Sequence, residues 1–204
     1  MTDPYKVYKV HKVITTDQII DIKKPKLEAD IIDLLKKRFS PRVFSDEKVG
    51  DDNINSLIEA ARWTPSSSNR QPWFFYISQR DSQSFQKILA CLSEGNYWAK
   101  NASHLIVGCY LDVDEKGKNN YAQYDLGQAV MSLIFQAQSL GYYAHQMGGF
   151  NKDLVKESLI IKPPRYPWVV IAIGKIGDYL KTDQILIDKD NKERKRKEVI
   201  SQKI

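Results

Sequence analysis

Apolar residues recur along the chain with two different spacings. In several segments they return every three or four residues, which predicts amphipathic helices at about 29–37, 51–63, 83–92 and 121–140. In others they form short runs rich in aromatic and β-branched residues, which predicts strands at about 73–78, 104–110, 142–147 and 168–174. Because helices lie between the strands, we expect layers packed around one sheet, in an α/β or α+β arrangement.

No internal repeat or low-complexity linker divides the 204 residues. A chain of this length, with 42% hydrophobic and 11% aromatic residues, can bury a full core without disulfides or metals. We therefore expect one domain over 29–204, which includes a basic C-terminal extension, and an N-terminal arm over 1–28.

The cysteines and the hydropathy of the chain indicate in which cellular compartment the protein lies. Cys91 and Cys109 form no CxxC pair and lie in different predicted elements, which is typical of core thiols in a reducing environment. The N-terminus lacks the apolar block of a signal peptide, and no apolar run approaches the ~18 residues that span a bilayer. These features predict a cytoplasmic protein without a membrane partner.

Basic residues outnumber acidic residues by 31 to 25, and the excess is concentrated in the sequence KDNKERKRKE at Lys189–Glu198. This run could be a solvated tail, a nucleic-acid-binding segment, or a group of cations that binds an anionic ligand. A nucleic-acid site would combine a basic face with aromatic residues or a recognisable module, and the sequence has neither. We therefore expect no nucleic-acid partner, and the other two interpretations stay open at this point.

Several common catalytic motifs have no counterpart in the sequence. It contains no glycine-rich dinucleotide fingerprint after a strand, no P-loop and no GxSxG elbow. His11, His104 and His145 lack the spacing of zinc ligands, and the last two lie in apolar strands, as packed histidines do. We therefore expect no metal site, and an enzyme with this sequence would depend on a bound cofactor.

A polar loop, PSSSNRQ at 65–71, joins the second predicted helix to the first predicted strand. Serine and asparagine populate turns because they bond to nearby backbone, so the loop could be an ordinary connection. The same hydroxyls and amide, held between two rigid elements, could also bind a ligand.

Three motifs resemble the FMN-dependent nitroreductase family. KKRFSPRVFSDEKV at 36–49 is similar to the family's Arg-x-Ser-x-Arg segment with its following Phe-x-x-x-x-Val. EAARWTPSSSNRQPWFFYI at 59–77 is similar to its Ser-x-Asn-x-Gln-Pro-Trp loop, and YDLGQAVMSLIFQAQSLGYYAHQMGGF at 124–150 is similar to its central helix and flavin turn. The similarity extends over about 29–200. It implies an α+β nitroreductase-like fold, in which a central, mainly antiparallel sheet is flanked by helices and dimer-forming extensions.

The resemblance implies an FMN site with separate parts for phosphate and ring. Arg38 and Ser40 would bind the phosphate, and Arg194 and Arg196 would complete that part. Arg42 would face flavin N1 and the C2 carbonyl, where its charge stabilises the reduced flavin. The expected cofactor-binding residues are Arg38, Phe39, Ser40, Arg42, Pro65, Ser66, Ser67, Ser68, Asn69, Gln71, Met147, Gly148, Gly149, Arg194 and Arg196.

Two further segments would hold the ring of the flavin. Asn69 offers an amide that matches the donors and acceptors of the pyrimidine edge. Gly148 and Gly149 have no side chain to obstruct an approach of the backbone to N5, although two glycines alone are also typical of a turn that ends a strand.

The resemblance also implies an activity. NAD(P)H would be the co-substrate and would deliver hydride to FMN, and a nitroaromatic, quinone or related small acceptor would then be reduced in a ping-pong cycle. Arg42 is the expected catalytic residue, with an electrostatic role, and no protein acid or base is needed. The active form would be a homodimer with FMN in each of two interface sites.

Alternatives remain from the sequence alone. A specialised flavoenzyme on the same scaffold would carry out dehalogenation or heterocycle dehydrogenation, and a flavin-binding protein would lack significant turnover. The substrate lid is reduced to DVDEKGKNNYAQY before the central helix. Whether Tyr97, Trp98, Tyr121 and Tyr124 line the cleft or pack elsewhere stays open.

Overall fold

The computed structural model describes residues 14–198. Its strands are β1 (Trp73–Gln79), β2 (His104–Leu111), β3 (Val113–Asp114), β4 (Gly117–Lys118), β5 (Tyr143–Met147) and β6 (Arg165–Gly174). Four of them form one antiparallel sheet in the order β1–β2–β6–β5, and β3 and β4 form a separate short hairpin. The predicted strands are confirmed, and β6 begins at Arg165 rather than near 168.

Helices cover both faces of this sheet. They are α1 (Thr16–Ile22), α2 (Asp33–Lys37), α3 (Asp51–Arg62), α4 (Gln83–Ala90), α5 (Ala122–Ser139), α6 (Lys152–Leu159) and α7 (Gln184–Asp190). Three 3₁₀ segments, Ser67–Asn69, Glu94–Asn101 and Tyr179–Lys181, complete the described elements. The α+β class is therefore confirmed, with the sheet between two helical layers.

The sheet divides the core into two parts. The apolar stripe of α5 and the inner side of α3 pack with Ile106 and Ile171 on one face. Helices α1, α4, α6 and α7 pack with Leu105 and Val107 on the other. Because successive side chains of β2 enter both parts, this strand is almost continuously apolar. A Cβ at Gly108 would come within 3.0 Å of Val169 Cγ1, so glycine allows the close packing there.

One predicted helix is shorter in the structure, and part of the N-terminal segment is packed. The predicted helix at 29–37 is confined to Asp33–Lys37, and Ile31 and Ile32 before it are exposed, so no core packing stabilises an earlier turn. Part of the expected N-terminal arm is packed onto the domain, because Ile19 of α1 is fully buried in the core. The remainder of that arm, residues 1–13, lies outside the described residues, as do residues 199–204.

Candidate functional site

Three arginines from distant parts of the sequence gather at one place, and we call Arg38, Arg194 and Arg196 the arginine cluster. Arg38 follows the last turn of α2, and its Nη1 donates a hydrogen bond to Ser40 Oγ at 3.3 Å. Burial lowers the pKa of the Arg38 guanidinium, and the positive charge of Arg196 lowers it further. Burial also lowers the pKa of Arg194, and the charges of Arg38 and Arg196 add to this effect.

Within residues 14–198, no member of the arginine cluster forms an ion pair with Asp or Glu, and no carboxylate is among the charges that shift Arg38 or Arg194. Like charges without a counter-ion repel one another, so an anion bound between them would be stabilised. A phosphate matches this environment, because it carries negative charge and several acceptor oxygens for guanidinium and hydroxyl donors.

Arg194 also ties the C-terminal extension to the rest of the domain. Its Nη1 donates to Lys36 O at 2.8 Å and to Lys23 O at 3.2 Å, and its Nη2 donates to Leu35 O at 3.3 Å. These carbonyls lie near helix ends, where backbone acceptors lack helical partners. Arg194 Nε is buried without a hydrogen-bond partner in the described part of the chain. This nitrogen and the exposed Arg196 are therefore the donors that the two residues can offer to an anion.

Arg42 is held by a carboxylate that the sequence analysis did not identify. Its Nη1 donates to Asp190 Oδ1 at 2.6 Å, and its backbone N–H donates to Asp190 Oδ2 at 2.8 Å. The hydroxyl of Tyr179 donates to the same Oδ2 at 2.7 Å. Burial and the negative charge of Asp190 raise the pKa of Tyr179, so it is protonated and acts as the donor. Asp190 is fully buried, whereas the Arg42 side chain is 31% exposed.

His145 of β5 fixes the backbone between Ser40 and Arg42. Its Nδ1 lies 2.8 Å from Pro41 O, and since a carbonyl oxygen only accepts, this contact requires the proton on Nδ1. The ring packs on Trp98 with a centroid distance of 4.4 Å. Burial lowers the pKa of His145, which favours the neutral ring. The histidine is therefore a packed residue, as the sequence predicted.

The polar loop between α3 and β1 has an uncommon backbone. Ser68, Asn69 and Gln71 have φ values of 52°, 54° and 50°, in the left-handed region that favours glycine. Such conformations cost of order 1 to 3 kcal/mol each and persist where surrounding contacts fix them. Left-handed backbone at three non-glycine positions is typical of a functional loop.

Four contacts fix this loop. The backbone N–H of Ser67 donates to buried Asp125 Oδ2 of α5 at 3.1 Å, and the N–H of Gln71 donates to Ser66 Oγ at 2.9 Å. Thr64 Oγ1 donates to Ser132 Oγ at 2.7 Å. Arg70 Nε donates to Asp114 Oδ2 of the β3–β4 hairpin at 2.7 Å. The loop is therefore anchored on two sides.

The outer side of the loop faces solvent. Pro65, Ser68, Asn69 and Gln71 are exposed. Gln71 Nε2 donates to Asn69 O and Oδ1 at 3.0 and 3.2 Å, which fixes the orientation of the Asn69 amide. The loop therefore presents an oriented amide on its exposed side.

The two glycines after β5 differ in their surroundings. A Cβ at Gly149 would lie 3.2 Å from Asn96 Nδ2 and from Ser93 Oγ, so packing within the chain accounts for that glycine. A Cβ at Gly148 would meet no atom within 4 Å, so nothing in the described chain occupies that space. The space beside Gly148 is therefore open in the described chain.

Two expected site residues have side chains in the core. Phe39 is 3% exposed and packs edge-to-face on Tyr143 at 5.1 Å, and Met147 is 3% exposed. Only their backbone atoms could contact a cofactor. Trp98 also packs in the core, because it is 1% exposed. Tyr121 and Tyr124 are 61% and 69% exposed.

The described chain does not bring Arg42 and Asn69 together. Arg42 lies beside β5, through the contact between His145 and Pro41, whereas the polar loop leads into β1. β1 and β5 are the two edge strands, and β2 and β6 lie between them, which separates them by about 14 Å at a strand spacing of ~4.8 Å. The two residues also lie at opposite ends of the strands. The loop that carries Asn69 precedes Trp73 at one end, whereas Phe44, two residues after Arg42, forms a bridge with Ile176 beyond the other end.

Three other features bear on function: metal sites, membrane-spanning helices and a surface cleft. Residues 14–198 contain no group of three or more His, Cys, Asp or Glu that could hold a metal ion. In the same range, no helix combines the length and hydropathy required to cross a membrane. A cleft of about 440 Å³ between the α1–α2 connection and α5 includes Leu27 and Gln138, and none of the expected flavin residues lines it.

Comparison with known proteins gives the family. A sequence model described as the Nitroreductase family matches residues 35–95 and 92–175, more than half of the chain. A Mycolicibacterium smegmatis protein named "Uncharacterized 15.4 kDa protein in ask 5'region" is 32% identical over 114 residues, which cover 56% of this chain and 77% of the relative. An Archaeoglobus fulgidus protein named "Putative NADH dehydrogenase/NAD(P)H nitroreductase" is 26% identical over 149 residues, which cover 71% and 84%.

A solved structure agrees with the sequence comparisons. A crystal structure described as an oxidoreductase containing FMN is 34% identical and superposes with a TM-score of 0.77. The superposition covers 83% of this chain and 89% of that chain, so the shared fold extends over nearly the whole of both. The chain therefore belongs to the nitroreductase family and is an oxidoreductase with that family's α+β fold.

Proposed function

We propose that this protein binds FMN and uses NAD(P)H to reduce a small acceptor such as a nitroaromatic or a quinone. The observation that carries the proposal is the arginine cluster beside Ser40, which has no carboxylate partner in the described residues. The FMN-containing structure at 34% identity supports the same cofactor here. The name of the Archaeoglobus fulgidus relative supports a nicotinamide reductant.

The residues present fit the phosphate of FMN. Arg38 and Ser40 lie next to each other and offer guanidinium and hydroxyl donors. Arg194, whose Nε has no partner in the described residues, and the exposed Arg196 would add further donors. A hydrogen bond between charged groups contributes roughly 1.5 to 3 kcal/mol, and the partial burial of Arg38 reduces screening by salt.

When bound, FMN supplies the hydride-transfer chemistry. The role of the protein is to orient the ring and to match its charge. Arg42 would face N1 and the C2 carbonyl, and Asn69 would bind the pyrimidine edge with its oriented amide. Gly148 would leave room for the ring. No protein acid or base is required, because FMN supplies the chemistry and Arg42 contributes by positioning and by electrostatics that Asp190 moderates.

A homodimer would complete this site. In one chain, Arg42 and Asn69 belong to opposite edges of the sheet, so the loop of a second copy would supply the amide. Trp63 precedes that loop in the sequence, and Tyr121 and Tyr124 lie at the start of α5, where Asp125 binds the loop. These exposed aromatic side chains offer an apolar surface for the contact.

A mixing experiment tests the FMN site and the dimer together. Arg38→Ala and Asn69→Ala proteins, each deficient in FMN binding, are unfolded together, refolded and purified as heterodimers. If each site uses Arg38 of one chain and Asn69 of the other, half the sites in the heterodimer are intact and bind FMN with wild-type affinity. If both residues act from the same chain, every site carries a substitution and no affinity returns, which would contradict the shared site. A colourless wild-type protein that does not take up FMN would contradict the function itself.

Turnover separates the proposed enzyme from its alternatives. Oxidation of NADH or NADPH in the presence of a quinone should follow ping-pong kinetics, with parallel lines in double-reciprocal plots. A protein that retains FMN but oxidises neither nicotinamide would be a flavin-binding protein. A protein whose flavin is reduced by NAD(P)H, but which transfers electrons to no nitroaromatic or quinone, would be a specialised flavoenzyme.

A further inference from the structure

The buried carboxylate of Asp190 is bound by more donors than one ion pair requires. It accepts the backbone N–H and Nη1 of Arg42 and the hydroxyl of Tyr179, at 2.6 to 2.8 Å. Because it holds both the backbone and the guanidinium of Arg42, it fixes the direction in which that side chain points. Asp190 is also the last residue of α7 and is followed by the segment that carries Arg194 and Arg196.

The two arginines expected at the flavin differ in their counter-charges. Arg38 has no carboxylate partner in the described residues, whereas the charge of Arg42 is offset by Asp190 at 2.6 Å. The phosphate of FMN is negative in every redox state, but the ring gains negative charge only when it is reduced. An uncompensated cation such as Arg38 suits the phosphate. A compensated cation contacts the ring without strongly favouring its reduced form.

Other charged groups around Asp190 do not replace this pair. Lys23 lies within reach of its charge, but Lys23 Nζ donates to Lys192 O at 2.7 Å. Tyr179 is neutral and contributes a hydrogen bond without charge. Removing the Asp190 charge would therefore leave Arg42 as an uncompensated cation.

We propose that Asp190 is a positioning residue that orients Arg42 and offsets its charge, and that it thereby lowers the affinity of the protein for reduced relative to oxidised flavin. This inference rests on the proposed FMN site. Its consequence is a lower flavin potential, which makes the bound flavin a better reductant of an acceptor.

The test is a redox titration of FMN-loaded protein. Asp190→Asn keeps the size of the side chain and removes its charge, and it should raise the affinity for reduced over oxidised FMN about tenfold, which is an increase of about 30 mV in the two-electron potential. Asp188→Asn is the matched control, because Asp188 is an exposed carboxylate of the same helix; we expect less than a twofold change. In the Arg42→Gln background, Asp190→Asn should still raise the relative affinity for reduced FMN, because the carboxylate that has lost its cation opposes the negative charge of the reduced ring.

A second variant keeps the inference testable if Asp190→Asn does not fold. Tyr179→Phe removes one donor from Asp190 and leaves more of its charge for Arg42, so the relative affinity for reduced FMN should fall about threefold. An unchanged or lower potential in folded Asp190→Asn, or an unchanged or higher one in Tyr179→Phe, would overturn the role of Asp190 and leave the FMN function intact. If the wild-type protein itself does not bind FMN, the proposed function fails instead.

Discussion

Replacement of Arg38 by alanine separates ligand binding from stability. In the structure, the Arg38 guanidinium donates one side-chain hydrogen bond, to Ser40, and it forms no ion pair within the described residues. Its removal also relieves repulsion from Arg194 and Arg196. The free energy of unfolding of the protein without FMN should therefore change by about 1 kcal/mol or less.

The effect on FMN should be much larger. Loss of a charge-assisted hydrogen bond to phosphate costs roughly 1.5 to 3 kcal/mol, which corresponds to about a tenfold to hundredfold weaker affinity. Riboflavin has the same ring but lacks the phosphate, so its affinity should be the same in Arg38→Ala and in the wild-type protein. The contrast between the two ligands locates the lost interaction on the phosphate.

Flavin fluorescence during titration gives both dissociation constants. Lys37→Ala is the control, because it removes the same charge from the exposed neighbouring position in α2, and the FMN affinity should change less than about threefold. Equal effects of Arg38→Ala and Lys37→Ala would mean that only the overall charge matters. An equal loss of FMN and riboflavin affinity would mean that Arg38 supports the fold or the ring instead of the phosphate.

Three further predictions concern other parts of the site. Arg42→Gln should lower the flavin potential by about 20 mV, because it removes a positive charge from beside the reduced ring. A redox titration that shows no decrease would place Arg42 away from the ring. Gly148→Ala should leave thermal unfolding unchanged, because the new Cβ would meet no atom within 4 Å, but it should weaken FMN binding. An unchanged FMN affinity would mean that the turn at Gly148 does not contact the cofactor. Burial lowers the pKa of His104 and His145 from 6.5 in the folded protein. Their contribution to stability is therefore present above about pH 6.5 and is lost as the pH falls through the pKa of the folded state. Urea unfolding at about pH 7 and about pH 5 should show this loss of stability, and His145→Gln should make the loss smaller.

The elements that the sequence predicted well are those whose packing matches a simple period. Helix α5 buries one continuous stripe, and β2 is apolar on both faces because helices cover the sheet on two sides. Helix α1 is short and its apolar face is small, so periodicity did not indicate it. The Thr-x-x-Gln spacing from Thr15 to Gln18 could have done so, because it forms a capping box that fixes the first turn.

The candidate site shows a similar division. Local motifs pointed to Arg38, Ser40 and the polar loop, and their roles toward FMN stay predictions. Asp190 could not be found in this way, because it lies 148 positions from Arg42, within a run that is mostly basic. An ion pair between distant positions depends on how α7 packs, and no periodicity in the sequence encodes that contact.

The left-handed backbone of the polar loop bears on the proposed dimer. Ser68, Asn69 and Gln71 adopt left-handed backbone in a loop whose outer side is exposed, and Asp125 is one of the residues that hold it there. Within one chain, this conformation orients an amide toward no described partner residue other than its own neighbour Gln71. If the loop completes the FMN site of a second copy, the bound cofactor and the dimer stabilise each other, and linkage requires that each raises the affinity of the other by the same factor. Saturating FMN should therefore lower the dimer dissociation constant, whereas riboflavin should do so through the ring contacts alone.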